Sequence, residues 1–290
     1  MKRLGIEWRM QPTVNFELST NNFKRYLENN GFRESTVEGY IGNVRRYLEF
    51  CGTDRPSSQD ILRFQESLHD SKHSRSTLNQ YGYAIKAYHR MFGEKVEYPR
   101  LNPNNNIPYY FTSEEVRNIF SVCSNFKHYA MLTTLFYGAL RASELCALDD
   151  QDINLESLTI RVRYGKGGKE GIVCINNDCA RVLKQYMAAR PSLEIDKRKP
   201  LFYTDYGQRW KRTDLHRMFT TYKKKAFIEK KGGLHVFARH TPATIMIANG
   251  CDIRIVKEVL RHDDIRTTLR YAHVSDKTKR EKYEQCLTLG

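Results

Sequence analysis

The chain has 290 residues, 40% of them hydrophobic and 28% charged, with 48 Lys and Arg against 33 Asp and Glu for a formal charge of +15. That length predicts two domains, each able to bury a core without disulfides, and positive charge spread along the chain points to a polyanionic partner whose condensed counterions are released on binding. Seven scattered cysteines, with no C-x-x-C pair, argue against a thiolate metal site or a disulfide relay. They read as reduced thiols in a cytoplasm; the opening MKRLGIEWRM lacks a signal-peptide core, and no segment approaches the roughly 18 apolar residues of a membrane span.

Residues 16–92 read as amphipathic helices parted by short polar breaks. Leu18, Phe23, Tyr26 and Leu27 recur at helical spacing and stop at Asn30-Gly31. Val37, Tyr40, Ile41, Val44, Tyr47 and Leu48 form a second run ending near Cys51-Gly52. Ser57 and Asp60 open a third like a capping box, followed by Ile61, Leu62, Phe64 and Leu68. A fourth begins near Ser74 and carries Leu78, Tyr81, Ile85 and Tyr88. These stripes predict a helical core, and Lys24, Arg25, Arg45, Arg46, Lys86 and Arg90 on the opposite faces suit either solvent or phosphate.

The text then changes to YPRLNPNNNIPYY, the composition of a linker. The expected boundaries are a helical domain over 1–96, a linker over 97–110 and a second domain over 111–290. Thr112 and Glu115 make the capping box that opens the second domain. Helices near 112–123 and 126–138 precede one opening around Ala142. Residues 158–163 alternate as a strand does, Tyr164-Gly165-Lys166-Gly167-Gly168-Lys169 is a glycine-rich turn, and 171–175 return as the partner strand. The remainder is helical, so the fold class is mainly α with one small antiparallel β-sheet in the C-terminal domain.

Four segments of this second domain carry chemistry-bearing side chains in a fixed order. LFYGALRASELCAL places Arg141 where an apolar run meets a helix start. GKGGK puts Lys166 at a hairpin tip. LHVFARHTPATIMIANG clusters His235, Arg239 and His240 ahead of an apolar stripe, and VLRHDDIRTTLRYAHV brings His262 and, nine residues later, Tyr271.

In these segments the sequence resembles the tyrosine recombinase family, which includes phage integrases and Xer-type enzymes. The resemblance spans most of the chain and implies a two-domain DNA clamp. It implies Arg141 from GALRASEL, Lys166 from YGKGGKE, Arg239 from ARHTPAT, His262 from VLRHDDI and Tyr271 from TTLRYAHV as the catalytic set, with Glu144 as a supporting acid. Where the family has a histidine or lysine three residues before the second arginine, this chain has Val236, and His235 stands four before Arg239. On a regular helix such a shift turns a side chain by about 100°, unless a loop or distorted first turn absorbs it. The alternative is an altered site with Ala238 where the arginine would be.

The chemistry explains the residue types. Negative charge accumulates on the non-bridging oxygens of a phosphodiester under attack, and guanidinium forks such as those of Arg141 and Arg239 suit them. A tyrosine hydroxyl, with a pKa of about 10, needs a base or a strongly positive setting to attack; His262 or His235 could assist. The leaving 5′-oxygen needs a proton, which Lys166 could deliver. The resemblance implies a 3′-phosphotyrosine link that stores the bond energy, with no cofactor or metal. It also implies a homo-oligomer of two to four protomers on paired sites in double-stranded DNA, exchanging strands through a Holliday junction, with residues 275–290 as a short helix that docks on a neighbour.

The expected function is therefore site-specific DNA recombination of the integrase or resolvase type. Three other readings compete with it: a catalytically impaired accessory factor that binds DNA, a relaxing enzyme like the type IB topoisomerases, and a generic basic regulator.

Overall fold

In a computed structural model of the chain, the described residues are 16–71, 73–102, 109–163, 170–272, 280, 283, 284 and 287. Lys166 and nearly all of the 275–290 segment lie outside them. The chain divides into two compact units, Met1–Asn105 and Asn106–Gly290.

The first unit is built from helices α1 (Glu17–Asn29), α2 (Glu34–Cys51), α3 (Ser58–Asp70) and α4 (Arg75–Met91). Local chemistry sets their ends. The Ser57 backbone N–H donates to Asp60 Oδ2 at 2.8 Å while the Asp60 N–H donates to Ser57 Oγ, a reciprocal cap of α3. Gly52, at φ 69°, ends α2 in the left-handed conformation that a residue without Cβ adopts freely. Phe23, Leu27, Val44, Tyr47, Leu48, Ile85 and Tyr88 are fully buried between these helices. Two stripe residues belong elsewhere: Leu18 and Leu62 are 73% and 58% exposed. Each lies on the flank of its helix, where spacing alone does not separate the edge of a stripe from its centre. The start of the expected linker is docked rather than free. Tyr98 is buried against α4, where a Cβ on Gly82 would meet its ring at 2.5 Å, and Asn79 exchanges two hydrogen bonds with the Leu101 backbone.

The second unit opens with α5 (Ser113–Ser121), capped reciprocally by Thr112 and Glu115, and continues through α6 (Phe126–Tyr137) and α7 (Ala142–Ala147). A three-stranded antiparallel sheet follows, β1 (Ile153–Asn154), β2 (Thr159–Val162) and β3 (Gly171–Cys174), with Ile160 opposite Val173 and both buried. Sequence periodicity predicted β2 and β3; β1 is too short to show a period. Helices α8 (Asn177–Ala189) and α9 (Arg212–Lys225) precede a π turn at Val236–His240 that runs directly into α10 (Thr241–Ala248), then α11 (Ile253–Leu260) and α12 (Ile265–Leu269). Phe237 anchors the π turn, its ring 5.0 to 6.5 Å from those of Phe219, Phe136, Phe120 and Phe111. Among the described residues, no helix is long and apolar enough to cross a membrane.

Candidate active site

Arg141 is the N-cap residue of α7. The Glu144 carboxylate accepts from both the Arg141 backbone N–H and its Nη1, each at 2.7 Å, and from Arg261 Nη2 at 2.5 Å. Glu144 is only 2% exposed. Burial alone would raise its pKa, but the Arg261 guanidinium and the Arg141 groups outweigh burial and hold it below the usual carboxylate range.

The second arginine is held differently. Arg239 is 2% exposed, with Nη1 donating to the Ala139 carbonyl at 2.6 Å and Nη2 donating to the Leu260 carbonyl. Both carbonyls belong to turns with unusual backbone: Ala139 itself has φ 44°, and Arg261, the residue after Leu260, has φ 49°. A side-chain-bearing residue in the left-handed region costs about 1–2 kcal/mol. Here that strain aims two carbonyls at one guanidinium. Burial first, then the charge of Arg141, pulls the Arg239 pKa down to about 9, so it stays cationic at neutral pH.

The offset of His235 has a structural answer. The Thr241 N–H bonds to the Val236 carbonyl, five residues back, instead of to the carbonyl four back. Pro242 supplies the cause, since it has no N–H for the Ala238 carbonyl and its ring crowds that carbonyl in a regular helix. The wider turn takes in one extra residue. His235 thereby comes to lie with its ring 4.9 Å from that of His240, while Ala238 points into the core and Arg239 reaches the carbonyls. Partial desolvation, then the charges of Arg239, Arg141 and His216, lower the His235 pKa.

Tyr271 follows α12 and is 7% exposed, packed with Ala139, Ala243, Val256 and Leu260. Its hydroxyl lies 2.8 Å from His240 Nδ1. Burial raises the phenol pKa, and the charges of Arg239 and Arg270 offset part of that. His240 is pushed down to about 4, by burial first and then by His235, Arg270, Arg239 and His262. It is therefore neutral, and in the tautomer with the proton on Nε2 its Nδ1 accepts from the tyrosine. His262 sits just after α11, its Nδ1 2.9 Å from Oγ1 of the fully buried Thr268. The structure thus brings Arg141, His235, Arg239, His262 and Tyr271 together; Lys166 lies outside the described residues. The sequence reading did not assign a role to His240, whose link to Tyr271 spans 31 residues, or to Arg261, whose aliphatic stem lies where a Cβ on Gly171 would meet it at 2.8 Å.

A cleft of about 600 Å³ borders α7, lined by Ser143, Cys146, Trp210 and the cationic Arg198, Arg209 and Arg212.

Comparison with known proteins follows the same division of the chain. The phage integrase family model matches residues 109–278, and the model of the phage integrase N-terminal SAM-like domain matches residues 20–98. Tyrosine recombinase XerA of Pyrococcus horikoshii is 32% identical over 275 residues, 91% of either chain. Tyrosine recombinase XerD of Oceanobacillus iheyensis is 27% identical over 293 residues, 92% of this chain and 97% of that one. The crystal structure of XerA recombinase superposes with a TM-score of 0.56 at 29% identity, covering 95% of this chain and all of that one.

Proposed function

We propose a mechanism for a chain that belongs to the phage integrase family and is a tyrosine-type site-specific recombinase: Tyr271 attacks a DNA phosphodiester and holds the broken strand as a 3′-phosphotyrosine. Arg141 and Arg239 bind the non-bridging oxygens. Two N–H groups of Arg239 are engaged with carbonyls, and the others remain for a phosphate. Lys166 protonates the leaving 5′-oxygen. His235 and His262 complete the wall of hydrogen-bonding groups that stabilises the transition state. Attack by a free 5′-hydroxyl on the phosphotyrosine reseals the strand, so neither ATP nor a metal ion is consumed.

The partner is double-stranded DNA, bound by a helical unit (1–96) and a catalytic unit (111–290) joined by the 97–110 linker. Protomers assemble as a dimer to a tetramer on paired sites and pass through a Holliday junction. The cytoplasm is the compartment that suits DNA as partner and the free thiols of Cys51, Cys123, Cys146, Cys174, Cys179 and Cys251.

The observation that carries this reading is the burial of a tyrosine hydroxyl against His240, directly after an arginine held by two carbonyls and within electrostatic reach of a second arginine held by Glu144. Covalent capture tests it. Nicked duplexes of randomised sequence are incubated with the protein and resolved on a denaturing gel. Wild-type protein should retain a subset of duplexes as an adduct, and Tyr271→Phe should retain none. Equal retention by both proteins, or none by the wild type, would remove Tyr271 from the mechanism.

A further inference from the structure

We propose that His240 is the base that takes the phenolic proton from Tyr271 as the tyrosine adds to phosphorus, and that returns it when the strand is resealed. This rests on the reading of Tyr271 as the nucleophile.

The geometry comes first. His240 Nδ1 is 2.8 Å from the Tyr271 hydroxyl, with the rings 5.5 Å apart at 61°. A base must lie within hydrogen-bond reach of the proton it removes, and His240 does. Its backbone is fixed as well as its ring. It is the last residue of the π turn, directly after Arg239, and its carbonyl accepts from Thr244 Oγ1 at 2.9 Å. One short segment therefore carries both a guanidinium for the phosphate and an acceptor for the nucleophile's proton. His235 stacks edge to face on His240, and His262 is tied to Thr268. The two histidines that the sequence offered as assistants thus surround the base.

The electrostatics give the timing. With Tyr271 donating, the neutral imidazole carries its own proton on Nε2 and leaves the Nδ1 lone pair open. Burial and the groups facing the ring, Arg239 and Arg270 together with His235 and His262, keep it neutral in the free protein. A phosphodiester bound at Arg141 and Arg239 offsets those charges. The charge that grows on its oxygens during attack offsets them further, so imidazole basicity rises as the proton must leave.

The step balances. The Tyr271 O–H bond breaks and its proton passes to His240 Nδ1. The phenolic oxygen bonds to phosphorus as the P–O5′ bond breaks, and the 5′-oxygen takes a proton from Lys166. Resealing reverses each transfer.

The test uses a duplex recovered by wild-type covalent capture. Single-turnover cleavage is measured for wild type, His240→Ala, His240→Gln and Lys166→Ala, each with the ordinary duplex and with one whose leaving 5′-oxygen is replaced by sulfur, a leaving group that needs no proton. Both His240 variants should cleave about 10²–10³-fold more slowly while binding the duplex as wild type does. The sulfur duplex should restore Lys166→Ala and leave both His240 variants slow. Gln keeps a hydrogen-bond acceptor and cannot take a proton, so a wild-type rate for His240→Gln would overturn the assignment. Restoration of the His240 variants by sulfur would also overturn it, by placing His240 on the leaving-group side. Failure of the wild type to capture any duplex would instead overturn the reading of Tyr271.

Discussion

The helices of the first unit end where local chemistry ends them. Ser57 and Asp60 cap α3, Gly52 closes α2, and α4 starts on Ser74. Around Tyr271 the backbone does the opposite: Ala139 and Arg261 occupy the left-handed region without being glycine, and a helix widens by one residue at Val236–His240. In the first unit each choice agrees with its neighbours and contributes stability. In the second, which also has Leu158, Asp196, Lys197 and Phe227 in the left-handed region, the departures around Tyr271 place an acceptor or donor at the site: the Ala139 and Leu260 carbonyls for Arg239, Arg261 for Glu144, and His240 for Tyr271. The difference teaches where function sits in this chain. It lies where local preference has been overruled by contacts from distant segments.

The comparison breaks most easily at Glu144, which holds both Arg141 and Arg261. Glu144→Gln removes the charge of a buried carboxylate held between two half-buried arginines and should cost about 3–5 kcal/mol in urea unfolding. It should also slow adduct formation by on the order of 10²-fold, because Arg141 loses its anchor. In the first unit, Phe23→Ala should cost a similar 3–5 kcal/mol by emptying a core position. There, adduct formation should fall only in step with the folded fraction. A rate loss beyond that would mean the first unit also tunes the chemistry.

Acid should separate the units more gently. His240 folds with its pKa at about 4, below the roughly 6.5 of an unfolded histidine. The native state therefore binds fewer protons than the unfolded state, and the stabilisation is complete above pH 6.5 and lost as pH falls toward 4. After allowance for solvent screening the loss is on the order of 2 kcal/mol. His128 and His235, lowered in the same direction, add to it. Asp60, lowered to about 2 first by its hydrogen bond from Ser57, keeps its contribution until pH falls below the ordinary aspartate range. Amide exchange corrected for intrinsic rates should show residues 234–248 losing protection between pH 6.5 and 4 while α3 keeps it. Simultaneous loss would count against the separation.

Much of this was legible in the sequence because it is local. The capping pairs Ser57/Asp60 and Thr112/Glu115 are three residues apart, and β2 and β3 alternate over a short run. Glu144 was legible only through the family resemblance, which implied it as a supporting acid beside Arg141. The π turn was not, although its cause, Pro242, stands in plain view, because whether a helix bends, breaks or widens at a proline depends on packing such as that around Phe237. Left-handed Ala139 and Arg261 carry no local signal, since their reward is a contact with Arg239 or Glu144 made about a hundred residues away. The pairing of His240 with Tyr271 needed α11 and α12 to fold back on α10.

Arg261 gives the sharpest test, because the two sides of the comparison oppose each other within one residue. Arg261→Gly relieves the left-handed strain, worth about 1 kcal/mol, and removes a hydrogen bond to a charged, buried partner that is worth more, about 1.5–3 kcal/mol. The net change in urea stability should therefore be a modest loss of about 0.5–2 kcal/mol. Adduct formation should nevertheless fall on the order of tenfold, since Glu144, and through it Arg141, is then held from one side only and small misplacements are amplified in rate. Arg261→Lys, which keeps the charge and the strain but not the fork, should recover part of that rate and none of the stability. A glycine variant that is more stable and equally fast would make the strained arginine an accident of sequence, leaving Ala139 and the π turn as the remaining departures that serve the site.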